Sequence, residues 1–172
     1  MMLVMREAKT GWTMIIALGV ISVAAVALPS LASSSDGGME AEAVALIRQL
    51  RAREAAYHEQ YGLYLPTAAT ETDTFPAHPA PGGQDIGALP ASWQALGVKT
   101  GRHTLQCTYA VIAGTAHEPA GALATEWFGW VAPADDWYYV LVRCDFDGDP
   151  NTDSFYFTTS TSAELVNLNP RS

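Results

Sequence analysis

The spacing of hydrophobic residues changes twice along the chain, and each change marks a different kind of element. Residues 12–32, WTMIIALGVISVAAVALPSLA, carry no charge and match the ~20 residues that an α-helix needs to cross a bilayer. Residues 33–38, SSSDGG, are small, polar and without period, which predicts a flexible hinge. Between 39 and 61, Ala43, Val44, Ile47, Leu50, Tyr57 and Tyr61 recur at three- and four-residue spacing, while Glu40, Glu42, Arg48, Arg53 and Glu59 take other faces. This predicts an amphipathic helix. Gly62 suits its end, and Pro66 bars its return.

Residues 67–90 are rich in Pro, Gly, Ala and Thr and predict an irregular loop lying over the domain. The stretch 91–98, ASWQALGV, predicts a short helical turn with Trp93 and Leu96 facing inward. Beyond it the period becomes two. Leu105, Cys107, Tyr109 and Val111 alternate with Gln106, Thr108 and Ala110, as in a half-buried strand. Residues 138–144 and 154–159 predict two further strands, and 126–131 is a weaker candidate between them. One helix followed by a run of strands predicts an α+β domain over residues 39–172, with the helix packed on an antiparallel sheet.

Charge adds direction. Arg6 and Lys9 precede the apolar run, and Asp36, Glu40 and Glu42 follow it, which places the N-terminus in the cytoplasm and the rest of the chain outside. Three fates are open to the run itself: an uncleaved anchor, a secretory signal cut after the small residues Ser30 and Ala32, or a leader removed further upstream. The formal net charge of -9, from nine basic and eighteen acidic residues, excludes the clustered Lys and Arg of a nucleic-acid groove. About half of the 172 residues are hydrophobic, enough for one domain with its own core.

Cys107 and Cys144 are the whole thiol inventory. In an exported chain they predict a disulfide, against the alternative of two buried thiols in adjacent strands. If joined, they require their strands to lie side by side or to face each other across one layer.

Asp145, Asp147, Asp149, Asn151 and Asp153 occupy every second position of DFDGDPNTD. Hard oxygen ligands at that spacing can converge on calcium, although Pro150 stands where an EF-hand has glycine and no bidentate Glu follows. The same residue types also make polar hairpin turns. No other cofactor is expected. His58, His78, His103 and His117 are scattered without ligand spacing, and no nucleophile elbow or phosphate loop occurs, so a non-enzymatic protein is expected. Trp127, Phe128, Trp130, Trp137, Tyr138 and Tyr139 fit either a binding surface or core and cross-strand pairs, the second being the commoner use. Arg48, Arg51 and Arg53 can pair with Glu42, with Glu54 or with acids of another subunit, or form a solvated face.

Two motifs carry a family resemblance. Lys9, Thr10, Gly11, Trp12, Thr13, Met14 and Ile15 resemble the Lys-Gly-Phe-Thr-Leu-Ile signature of type IV pilins and pseudopilins, whose leader is cut after the glycine. Glu54 to Pro66, EAAYHEQYGLYLP, is similar to the tyrosine-bearing helix end and Gly-x-Tyr-x-Pro turn of pilins. The resemblance implies a cytoplasmic leader over 1–11 with processing between Gly11 and Trp12, and a membrane helix over 12–32. It further implies a pilin-like fold, a long N-terminal helix packed on an antiparallel sheet of about four strands. Its implied partners are other pilin or pseudopilin subunits and the membrane, with no nucleic acid. The implied location is the inner membrane with a periplasmic head, or a pilus at the cell surface. Where the family carries a glutamate in the apolar helix, this chain has Ile16, which removes an assembly contact. The expectation is therefore a minor or accessory subunit of a type IV pilus or type II secretion pseudopilus. The alternative is a non-polymerising periplasmic or surface-anchored binding domain.

Overall fold

A computed structural model describes residues 35–169. The leader at 1–11, the apolar segment at 12–32, the processing residues Gly11 and Trp12 and the start of the hinge lie outside the described residues. Among the described residues, no helix is long and apolar enough to cross a membrane.

The main helix, α1, spans Ser35–Tyr61. It begins four residues before the expected position and takes in Gly37 and Gly38, which the sequence reading assigned to a hinge. Glycine in a helix costs about 1 kcal/mol relative to alanine. Packing offsets that cost, because Met39 is already buried and extends the inward stripe through Ala43, Leu46, Ile47 and Leu50. The stripe ends unexpectedly on a carboxylic acid, Glu54, which is also fully buried. Tyr61 was expected on this face and is instead 56% exposed. Gly62, at φ 73°, terminates α1, and its N–H donates to the His58 carbonyl at 2.8 Å.

The loop that follows carries a two-residue strand, β1 (Gln84–Asp85), and leads to a short helix, α2 (Ala91–Ala95). As expected, Trp93 and Leu96 face inward, and Trp93 meets Phe75 and Tyr109 edge-on. The strand expected over 105–111 is divided. Leu105 belongs to β2 (Thr104–Leu105), which pairs with β1, and a second strand, β3, runs over Thr108–Gly114. The break has an electrostatic cause. The Glu42 carboxylate on α1 accepts hydrogen bonds from the N–H groups of Gln106 at 2.8 Å and Cys107 at 3.4 Å, taking donors that a continuous ladder would use.

The principal sheet joins β3 to β4 (Trp137–Cys144), β5 (Ser154–Thr159) and β6 (Val166–Leu168), in that order and all antiparallel. The described residues are thus α+β, with one main helix, a four-stranded sheet and a two-stranded sheet. Alternation along β4 sends Tyr138, Val140, Val142 and Cys144 into the core shared with α1 and α2. Trp137, Tyr139 and Leu141 point the other way. They meet Phe157, Phe128, Trp130 and Ala124 in a second cluster. β3 is therefore not half-buried as expected, since Thr108 to Val111 are all enclosed. Of the strand expected at 126–131, Glu126 and Trp127 instead end a one-turn π-helix, Leu123–Trp127, which covers the second face, and residues 128–131 are irregular.

The outer edge of β3 is closed by the loop after α1. Phe75 and Tyr109 exchange both backbone hydrogen bonds at 2.9 Å, and Thr67 bonds Val111 through its N–H and its hydroxyl.

Candidate functional site

Cys107 and Cys144 are joined in a disulfide, with Cα atoms 4.5 Å apart. The register pairs Thr108 with Arg143, so the bond links neighbouring strands at one end of the β3–β4 ladder. Among the described residues there is no free cysteine.

The Asp-rich turn extends from that end. Its carboxylates serve mainly the turn itself. Asp145 accepts from the Gly148 N–H at 2.6 Å, Asp147 from the Asp149 N–H at 2.8 Å and from the Thr152 hydroxyl, and Asp149 from the backbone and side chain of Asn151. Gly148 supplies the bend at φ 83°. These donors, the Asp149 N–H first, hold the Asp147 carboxyl below the ordinary carboxylate range. Asp153 is withdrawn from the turn and pairs with Arg143. Burial raises its pKa, and the guanidinium opposes that shift. The described geometry is that of a hydrogen-bonded hairpin turn. Among the described residues, no three His, Cys, Asp or Glu side chains are grouped to hold a metal ion. The histidines are likewise apart: His58 stacks on Tyr64 with ring centres 4.2 Å apart, and His78, His103 and His117 are exposed.

The aromatic run divides in the same direction. Trp137, Tyr138 and Tyr139 are buried, Phe128 and Trp130 are half-buried against them, and Trp127 is half exposed beside Phe155. This is the core and cross-strand use.

Three glutamates organise the domain without having stood out as such in the sequence. Glu42 holds the jog before β3 and accepts from the Tyr109 hydroxyl at 3.1 Å. Glu71 accepts from the N–H groups of Leu123 and Ala124 and from the Tyr139 hydroxyl, so it ties the π-helix to the sheet. Glu54 accepts the Leu65 N–H at 3.0 Å through Oε2, fastening the chain reversal after α1. Its Oε1 is buried and accepts no hydrogen bond among the described residues. Desolvation pushes the Glu54 pKa up to about 7, against the opposing Leu65 hydrogen bond. The signal for Glu54 was its position four residues after Leu50, on the predicted apolar stripe.

Beside α1 the surface opens into a groove of about 400 Å³, whose lining includes Arg48, Arg51, Tyr64, Tyr138 and Ser160. Burial raises the Tyr138 phenol pKa, and the nearby Arg51 guanidinium opposes that shift. Arg53 lies instead beside Gly97. Among the described residues, none of these three arginines forms an ion pair, so of the readings open to them the pairing with Glu42 or Glu54 is not the one found.

Compared with protein-family models, curated proteins and solved structures, the chain finds no match in any of the three.

Proposed function

We propose that the chain is a pilin-like structural protein, a minor or accessory subunit of a type IV pilus or of a type II secretion pseudopilus. The observation that carries this reading is the pairing of a leader-like signature at Lys9 to Ile15 with a helix of 27 residues that lays one face on an antiparallel sheet. The reading is supported where α1 ends, because the Gly62, Tyr64 and Pro66 motif is the point at which Glu54 fastens the reversing chain. In this reading the apolar segment holds the protein in the inner membrane and bundles with other subunits. The head then presents α1 and the loops to its neighbours. Function is packing rather than chemistry. Ile16, in place of the acid that would meet a neighbouring amine, makes the chain a component added to a filament rather than its bulk subunit.

The test is co-expression with a prepilin peptidase. The expected result is loss of residues 1–11, blocked by Gly11→Val. An uncut chain, or one cut after Ala32 regardless of the peptidase, would favour the plain anchor or the soluble periplasmic binding domain instead.

A further inference from the structure

One peptide bond in the Asp-rich turn is chemically unlike its neighbours. Asp149 precedes Pro150, so the bond nitrogen belongs to a tertiary amide with no N–H, and it takes up a proton more readily than an ordinary peptide nitrogen. The Asp149 carboxyl is one methylene from its own Cα, and attack on its own carbonyl carbon closes a five-membered ring. The turn holds both reacting parts of Asp149. Its carbonyl oxygen accepts the Thr152 N–H at 3.0 Å and lies 3.0 Å from the Thr152 hydroxyl. Asp147 also accepts that hydroxyl, at 2.9 Å, and so keeps it in place. The Asp149 carboxylate is fixed by the Asn151 N–H at 3.0 Å and the Asn151 side-chain amide at 2.8 Å, and both bonds engage Oδ1 rather than Oδ2. The ends of the turn are anchored by the Cys107–Cys144 disulfide on one side and by Asp153 against Arg143 on the other. Asp149, Pro150 and Asn151 are exposed, so water and protons reach the bond.

We infer that the turn is a self-cleavage site, at which the Asp149 carboxylate cuts the Asp149–Pro150 bond. Oδ2 adds an electron pair to the Asp149 carbonyl carbon, and the carbonyl oxygen becomes an oxyanion. The Thr152 N–H and hydroxyl already sit where that charge develops, and donors so placed stabilise the transition state more than the ground state. As the oxyanion collapses, the C–N bond breaks and its electron pair goes to the Pro150 nitrogen, which leaves as an amine. Water, the only co-reactant, opens the cyclic anhydride to two carboxylates. The two protons then released balance the two that the prolyl nitrogen takes up in becoming an ammonium group. Both cysteines precede the cut, so the disulfide does not retain the C-terminal piece. The six residue pairs between β4 and β5 and the buried Phe157 hold it on the domain instead. The reaction needs neither the apolar segment nor another subunit, so its failure leaves the pilin-like reading standing.

The test follows the intact mass of the full chain in detergent micelles at about pH 5, near the carboxylate titration range, beside the same chain unfolded by guanidinium chloride at that pH. The folded chain is expected to yield a fragment beginning at Pro150 about tenfold faster or more than the unfolded one, because only the fold supplies the two donors. Cleavage that is as fast or faster in the unfolded chain is ordinary acid lability and overturns the inference, as does a folded chain that stays whole. Asp149→Ala must abolish the cut, and a cut that persists there comes from another agent and equally overturns it. Thr152→Val should slow the folded chain about tenfold or more and leave the unfolded rate unchanged. Slowing in both states, or in neither, contradicts the part given to the hydroxyl. If that variant loses its native circular dichroism, the folded and unfolded wild type still decide, since their comparison needs no substitution.

Discussion

Glu54 binds its proton more tightly in the folded chain than in the unfolded one, because water reaches neither oxygen and one of them accepts no hydrogen bond among the described residues. With a pKa raised from 4.5 to about 7, its contribution to stability is complete below pH 4.5 and is lost as pH rises through 7. The span corresponds to about 3 kcal/mol. Glu54→Gln removes the titration and is expected to flatten the fall in stability between those limits relative to the wild type. Urea unfolding at both pH values measures it, and an unchanged slope would show that the acid is ionised throughout. At Gly114 the constraint is steric. A methyl group there would overlap the Trp137 indole, which is 2% exposed and packed on Trp130 and Tyr139. Gly114→Ala should therefore cost about 3 kcal/mol, read as a lowered melting temperature.

Elements join through groups distant in sequence, and this decides what could be read beforehand. α1, α2, β4 and β5 were legible because their periods are local and unbroken. The disulfide was legible from cysteine count and compartment, and its side-by-side geometry is one of the two anticipated. The jog before β3 was not, since it depends on Glu42, 64 residues from Gln106. Nor was the π-helix, whose first donors meet Glu71, 52 residues before Leu123. β1 and β6 are too short to show a period. In the Asp-rich segment, ion-binding and turn chemistry use the same residue types, so spacing alone left both readings open. Two expectations follow at this scale. Glu71→Ala removes three hydrogen bonds and should accelerate hydrogen exchange at the Leu123 and Ala124 amides well before global unfolding, whereas unchanged protection would show that aromatic packing alone holds the segment. Reducing the disulfide, which closes a loop of 37 residues, should lower stability by about 4 kcal/mol by chain entropy, measured as a shift in the denaturant midpoint.

At the scale of the whole molecule, a sheet covered on both faces leaves the outer side of α1 and the hairpin ends to meet partners. Aromatic residues that a sequence would offer as a binding surface are mostly consumed in the second cluster. Trp127, Val131, Tyr61 and Leu63 nevertheless keep apolar surface exposed. The account depends on the route by which the chain reaches the membrane. The most direct test is the intact mass of the protein isolated from the membranes of the cells that make it. The account predicts a chain beginning at Trp12, with the mass of an added N-terminal methyl group. A chain beginning at Ser33, or an intact Met1, would contradict it.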